Sequence, residues 1–178
     1  MMKVIYLGHS GFFVEMEDAC FLFDYYKGDL PEADRGKKLF VFVSHGHYDH
    51  YRKEIFSLRD QYDQVRYLIS SDIFVREAED IRPVKPNEET EVLGCRIRTL
   101  RSTDEGVAFL LKYRGRTIYH AGDLNWWHWE EETEGYNTAM RRAYQSEINK
   151  LQGEKIDLAF VPVDPRLGEQ YCWGLDCF

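Results

Sequence analysis

Ser44-His45-Gly46-His47-Tyr48-Asp49-His50 follows directly on the apolar run Leu39-Phe40-Val41-Phe42-Val43. An uninterrupted apolar run of this length predicts a strand covered on both faces, inside a layered fold. The segment after it has the spacing H-x-H-x-D-H. A strand that runs into a His/Asp-rich loop presents its ligands at a rigid edge, where a metal can be held and substrate can still arrive. Residues two apart in extended backbone point the same way, so His45 and His47 can share one ion. The turn at Tyr48 then carries Asp49 and His50 to the other side, where a second ion can sit. Imidazole with carboxylate and no cysteine suits zinc, manganese or iron(II). The competing reading is histidines that merely cap backbone groups at a strand end.

Working outward, residues 3–7, 12–17 and 20–26 read as three short strands of a meander, the first two joined by Gly8-His9-Ser10-Gly11. Residues 27–38 form a loop. Residues 53–62 read as a helix burying Ile55, Leu58 and Tyr62, and 65–69 as the next strand. Ser71-Asp72 is expected to cap a short helix to residue 79, and 83–87 to break the pattern. Residues 91–100, 106–113 and 117–120 read as strands, the last two a hairpin turned at Arg114-Gly115. A helix over 137–152 with Met140, Tyr144, Ile148 and Leu151 on one face ends at Gly153. Residues 156–163 read as a last apolar strand, stopped by Asp164-Pro165. The expectation is one α/β domain over residues 1–178.

Composition narrows the partners. The chain has 178 residues, 23 basic against 31 acidic, for a net charge of −8. That charge repels nucleic acid, and Gly36-Lys37-Lys38 is too small a basic patch to compensate. There is no apolar stretch of membrane-spanning length and no signal-peptide layout at Met1-Met2-Lys3, so a cytoplasmic protein acting on a small molecule is expected. The four cysteines, Cys20, Cys95, Cys172 and Cys177, read as free thiols.

The His/Asp motif after an apolar strand resembles the metallo-β-lactamase fold superfamily. Tyr6-Leu7-Gly8-His9-Ser10-Gly11-Phe12 resembles the first turn of its lactonase-like and general hydrolase branches. Ile118-Tyr119-His120-Ala121-Gly122-Asp123 resembles the strand that delivers its bridging aspartate. The resemblance implies an αββα sandwich. It implies one or two divalent ions, zinc first, with manganese or iron as alternatives: His45 and His47 on the first, Asp49 and His50 on the second, Asp123 between them. It also implies hydrolysis of an ester, lactone or phosphodiester by a metal-bound hydroxide, with Asp49 orienting the water and accepting its proton.

Two histidines usual in that pattern are missing, one after Leu100 and one near the C-terminus, where the last strands and helix of the fold are also expected to be lacking. Asp104 is the candidate substitute for the first, with Glu105, the Thr103 hydroxyl, water or an empty site as alternatives. The C-terminal gap leaves three readings open: a sequence cut short of its natural end, a naturally truncated gene product, or a partner subunit completing the site. An exposed sheet edge would favour a homodimer. His9 reads either as a group approaching the metals or as a turn hydrogen bond, and His120 as a core histidine. Trp126 and His128, with Asp164, are candidate substrate contacts. The alternative function is a non-catalytic or truncated member of the fold, with an incomplete metal site, acting as a binding module.

Overall fold

The computed structural model describes residues 1–76 and 78–178. They form two compact units, Met1–Lys85 and Pro86–Phe178. The first is built on a six-stranded sheet of β1 (Lys3–Gly8), β2 (Gly11–Glu15), β3 (Ala19–Phe23), β4 (Lys38–Val43), β5 (Gln64–Ser70) and β6 (Ile81–Val84), neighbours in chain order. β1 to β3 are the expected antiparallel meander, and β3 to β6 run parallel.

β4 is buried from Leu39 onward, as its sequence demands. Alternation sorts its residues and those of β3 onto two faces. Cys20, Leu22, Leu39, Val41 and Val43 join a core with Ile55, Leu58 and Tyr62. Phe21, Phe23, Phe40 and Phe42 point the other way and are fully buried. There Phe21 stacks on Phe40 at 5.2 Å and Phe23 on Phe42 at 5.1 Å between ring centroids. The β4-to-β5 crossover holds the expected helix as a tighter 3-10 segment, Lys53–Asp60.

Two expectations fail in this unit. Residues 71–76 turn and bend rather than form a helix, and residue 77 of that expected helix lies outside the described residues. The carboxylate of Asp72 is not used as a cap; it accepts from the Gly46 N–H at 2.9 Å. Pro83, expected to break the chain, lies inside β6. That strand is the sheet's edge, where a residue without an N–H need not cost a ladder bond.

The second unit has a five-stranded sheet in the order β11-β10-β9-β8-β7. Its strands are β7 (Glu89–Val92), β8 (Cys95–Arg101), β9 (Val107–Tyr113), β10 (Arg116–His120) and β11 (Leu158–Phe160). The single strand expected over 91–100 is a hairpin turned at Leu93-Gly94, with φ of 49° and 82°. Both residues are left-handed, as in the predicted turn at Arg114-Gly115 (49° and 72°). The sequence hid the first turn because its leading residue is leucine, which rarely takes this conformation.

The main helix α1 (Glu134–Ile148) starts three residues before its predicted bound, where Thr133 Oγ1 accepts from the Tyr136 N–H. A 3-10 turn, Asn149–Leu151, and Gly153 at φ 82° end it. Tyr144, Ile148 and Leu151 pack with Leu100, Leu110 and Tyr119. β11 is far shorter than expected and pairs with β10 in parallel at the sheet's edge. Beyond it lie a 3-10 segment, Pro165–Gln170, and α2 (Trp173–Cys177).

All four cysteines are free, and burial pushes the Cys20 and Cys95 thiols up to about 11 and about 12. Among the described residues no helix is long and apolar enough to cross a membrane.

Candidate metal centre

In the first unit β4 ends at Val43, and the backbone of residues 44–50 turns through bends that gather four side chains. His45 and His50 are buried, Asp49 is half-buried and His47 is exposed. His45 Nε2 lies 2.9 Å from His47 Nδ1, so these two rings converge as the spacing predicts. Asp49 and His50 are joined by His9, whose Nε2 is 3.1 Å from His50 Nε2 and 3.3 Å from Asp49 Oδ2, and the His50 ring also lies against that of His45, with 4.0 Å between centroids.

What holds the loop is a residue the sequence reading passed over. Asp24, fully buried at the end of β3, has a carboxylate that accepts from the Ser44 N–H at 2.7 Å and the Ser44 hydroxyl at 2.6 Å. It also accepts from His50 Nδ1 at 2.8 Å. Three charge-assisted bonds offset the cost of burying the carboxylate.

They also decide the tautomers. Asp24 Oδ2 takes the Nδ1 proton of His50, which leaves the lone pair on Nε2. The Ser44 hydroxyl gives its only proton to Asp24, so at 2.9 Å it can only accept from His45 Nδ1. His45 therefore also presents an unprotonated Nε2. Burial first, then the His50 imidazole, pushes the His45 ring down to about 4, so it is neutral near pH 7. Two imidazoles with their lone pairs turned outward by a buried carboxylate, beside a third and an aspartate, are a donor set that fits a borderline or hard divalent ion. A signal for Asp24 was present: one acid at the end of the otherwise apolar and aromatic stretch Cys20-Phe21-Leu22-Phe23-Asp24-Tyr25-Tyr26.

In the second unit Asp123 sits on the turn after β10, with Gly122 at φ 53°. Trp127 Nε1 donates to the Asp123 carbonyl at 3.0 Å, and the Thr103 hydroxyl is locked to the Asn125 backbone, donating at 2.6 Å and accepting at 3.0 Å. Asp104 and Asp123 line one cavity of about 210 Å³, with Trp127, Trp129, Tyr136 and Arg166. The two indoles are parallel, and the Arg166 guanidinium lies over Trp129 at 5.7 Å.

Asp164 caps the following 3-10 segment and grips Arg166 through its backbone N–H, Nε and terminal nitrogen. Trp126 and His128 line a different cavity, of about 430 Å³, both against Trp173. Of the four aromatic residues 126–129, then, the odd-numbered tryptophans share the cavity of Asp123, and the expected pair does not. His120 is a core histidine as expected, accepting from the Gly122 N–H at 3.2 Å.

A family model described as a beta-lactamase superfamily domain matches residues 3–137. A UPF0173 protein of Pyrococcus furiosus is 24% identical over 169 residues, which cover 91% of this chain and 70% of that one. A UPF0173 metal-dependent hydrolase of Carboxydothermus hydrogenoformans is 43% identical over 53 residues, 28% of this chain and 24% of its own. Among solved structures, CmlA, a diiron β-hydroxylase of Streptomyces venezuelae, is similar over 99% of this chain and 37% of its own, at 15% identity and a TM-score of 0.56. That likeness is one of fold alone, and this fold carries more than one chemistry. Matched over well more than half its length, the chain belongs to the beta-lactamase superfamily and has the α/β fold of metallo-β-lactamase type.

Proposed function

We propose that the chain is a metal-dependent hydrolase acting on an ester, lactone or phosphodiester of small size. The observation that carries this is the loop of His45, His47, Asp49 and His50, with two of its imidazoles fixed in the ligating tautomer by Asp24 and Ser44. The hydrolase named among its relatives supports the same reading. His45 and His47 would hold one ion and Asp49 and His50 a second, zinc first, with manganese or iron as alternatives. By the resemblance, Asp123 would bridge them and Asp104 would serve as a further oxygen ligand. When bound, such ions acidify water and polarise a carbonyl or phosphoryl oxygen.

The remaining work falls to the chain. Asp49 would orient the attacking water and take its proton on the carboxylate oxygen not turned to the ion. Asp24 keeps His50 and, through Ser44, His45 from swinging out of line. Trp127 and Trp129 offer a flat apolar wall and Arg166 a cation to the part of the substrate that does not react. Trp126 and His128 are proposed as outer substrate contacts, and Asp164 as the residue that aims Arg166.

The test is hydrolysis of a generic phosphodiester and a simple lactone by the metal-loaded chain. His47→Ala and Asp123→Ala are each expected to lower the rate more than about 100-fold, beyond what outer-shell losses cost. Loaded protein inert on both substrates counts against the reading. It would favour a non-catalytic binding module instead. The proposal includes a single cooperative domain in the cytoplasm, and a homodimer formed through the exposed edge strand β1, where Val4 and Tyr6 are bare. One unfolding transition, cell fractionation and sedimentation mass test these in turn.

A further inference from the structure

The loop gives this ion only two donors, Asp49 and His50, beside a bridging Asp123 that the proposed function shares with the other ion, and a site that holds a divalent ion firmly needs three or more from the chain. The first unit offers a third. The ligand-competent atoms of His9, Asp49 and His50 all lie within 4.8 Å of one another. The separations from His9 Nε2, 3.1 Å to His50 Nε2 and 3.3 Å to Asp49 Oδ2, match the edges of a coordination polyhedron. Donors about 2.1 Å from one ion are about 3.0 Å apart when octahedral and about 3.4 Å apart when tetrahedral. His50 already turns its Nε2 lone pair toward this point, because Asp24 holds its Nδ1 proton.

Backbone conformation is a second, separate observation. His9 sits at φ 52°, in the left-handed region that a side-chain-bearing residue rarely adopts. The turn around it is shaped to allow this. Gly8 is at φ 113°, and a Cβ there would stand 2.4 Å from the Lys27 Cε. At Gly11 a Cβ would come within 3.0 Å of the Gly8 carbonyl. A glycine at position 9 would make the same turn without strain, yet the position carries an imidazole aimed at Asp49 and His50. Histidine enters this region more readily than most residues, and here the turn holds its ring against Asp49 and His50.

We infer that His9 joins Asp49 and His50 as a ligand of their metal site, so that residues 1–85 give this ion three donors of their own, one of them a histidine from the N-terminal turn. The inference rests on the hydrolase reading only in so far as that reading places an ion at Asp49 and His50. From residues 1–85 the ion it describes takes two nitrogen donors and one carboxylate, with the bridging Asp123, water and substrate left for its other positions.

The bland account is a shared hydrogen bond: the His9 Nε2–H donates to His50 Nε2 and Asp49 Oδ2, and no ion is involved. Two variants of the full chain separate the accounts. His9→Gly removes the ring and relieves the left-handed backbone, so it should melt no lower than the wild type in the absence of metal. His9→Gln keeps a donor of similar reach. Each is stripped with chelator and titrated with zinc by calorimetry, and with cobalt(II) by visible absorption, which reports the number and arrangement of donors around the ion.

The wild type is expected to take two ions. Both variants are expected to hold one of them more than about tenfold more weakly, with a changed cobalt spectrum. Unchanged affinity in His9→Gly, or full recovery in His9→Gln, overturns the assignment and leaves the hydrolase reading standing. A wild type that takes no ion overturns both.

Discussion

Asp24→Asn is expected to weaken metal binding by roughly 10–100-fold, toward the upper end of the range for outer-shell partners. The substitution keeps the volume and the Oδ1 acceptor for the Ser44 N–H. It replaces Oδ2, which accepts from both the Ser44 hydroxyl and His50 Nδ1, with an amide that can only donate. His50 Nδ1 must then accept, and its proton moves to Nε2. The Ser44 hydroxyl, with its acceptor gone, turns to His45 Nδ1 and drives that proton to Nε2 as well. Both buried rings would present N–H where they now present a lone pair.

Loss of the buried charge-assisted bonds should also cost stability, about 1–3 kcal/mol. Calorimetric zinc titration beside a thermal melt reads the two effects separately. Undiminished affinity in a folded Asp24→Asn chain would mean that the carboxylate does not set the tautomers.

Phe40→Ala carries the largest expected loss of stability, about 3–5 kcal/mol. Its ring is fully buried and lies parallel to Phe21, tilted by only 9°, in a ladder continued by Phe42 and Phe23. The parallel register Phe21↔Phe40 and Phe23↔Phe42 keeps the rings in contact, so a deletion leaves a hole bounded by rigid neighbours. A domain has only about 5–15 kcal/mol in hand, and the expected drop in Tm is roughly 10 °C. Phe40→Leu should recover much of it. Because β4 aims the His/Asp loop, the alanine variant should also bind metal less well at temperatures where it is still folded. A melt within a degree or two of the wild type would show that the ladder contributes little.

The sequence made plain those features that rest on neighbours in the chain. β4 and its loop were readable because burial on both faces and the H-x-H-x-D-H spacing are local patterns. So was the Arg114-Gly115 hairpin, and so was the body of α1. What escaped depends on distant partners. Asp24 acts on residues 20 and 26 positions away. Asp72 looked like a helix cap but is drawn off by the Gly46 N–H. Pro83 reads as a breaker unless it is known that β6 forms the edge of its sheet. The aromatic stretch announced a pocket, but which indoles line it with Asp123 depends on how the turn after β10 is wound, which periodicity does not encode.

The number of divalent ions held per chain tests the central claim most directly. Protein stripped with chelator, reconstituted with zinc, manganese or iron(II) and dialysed, then analysed for metal by mass spectrometry, is predicted to retain close to two equivalents of at least one of them. His47→Ala should lower that number by disabling the site it shares with His45. A well-folded wild-type chain that retains none of the three metals would contradict the account.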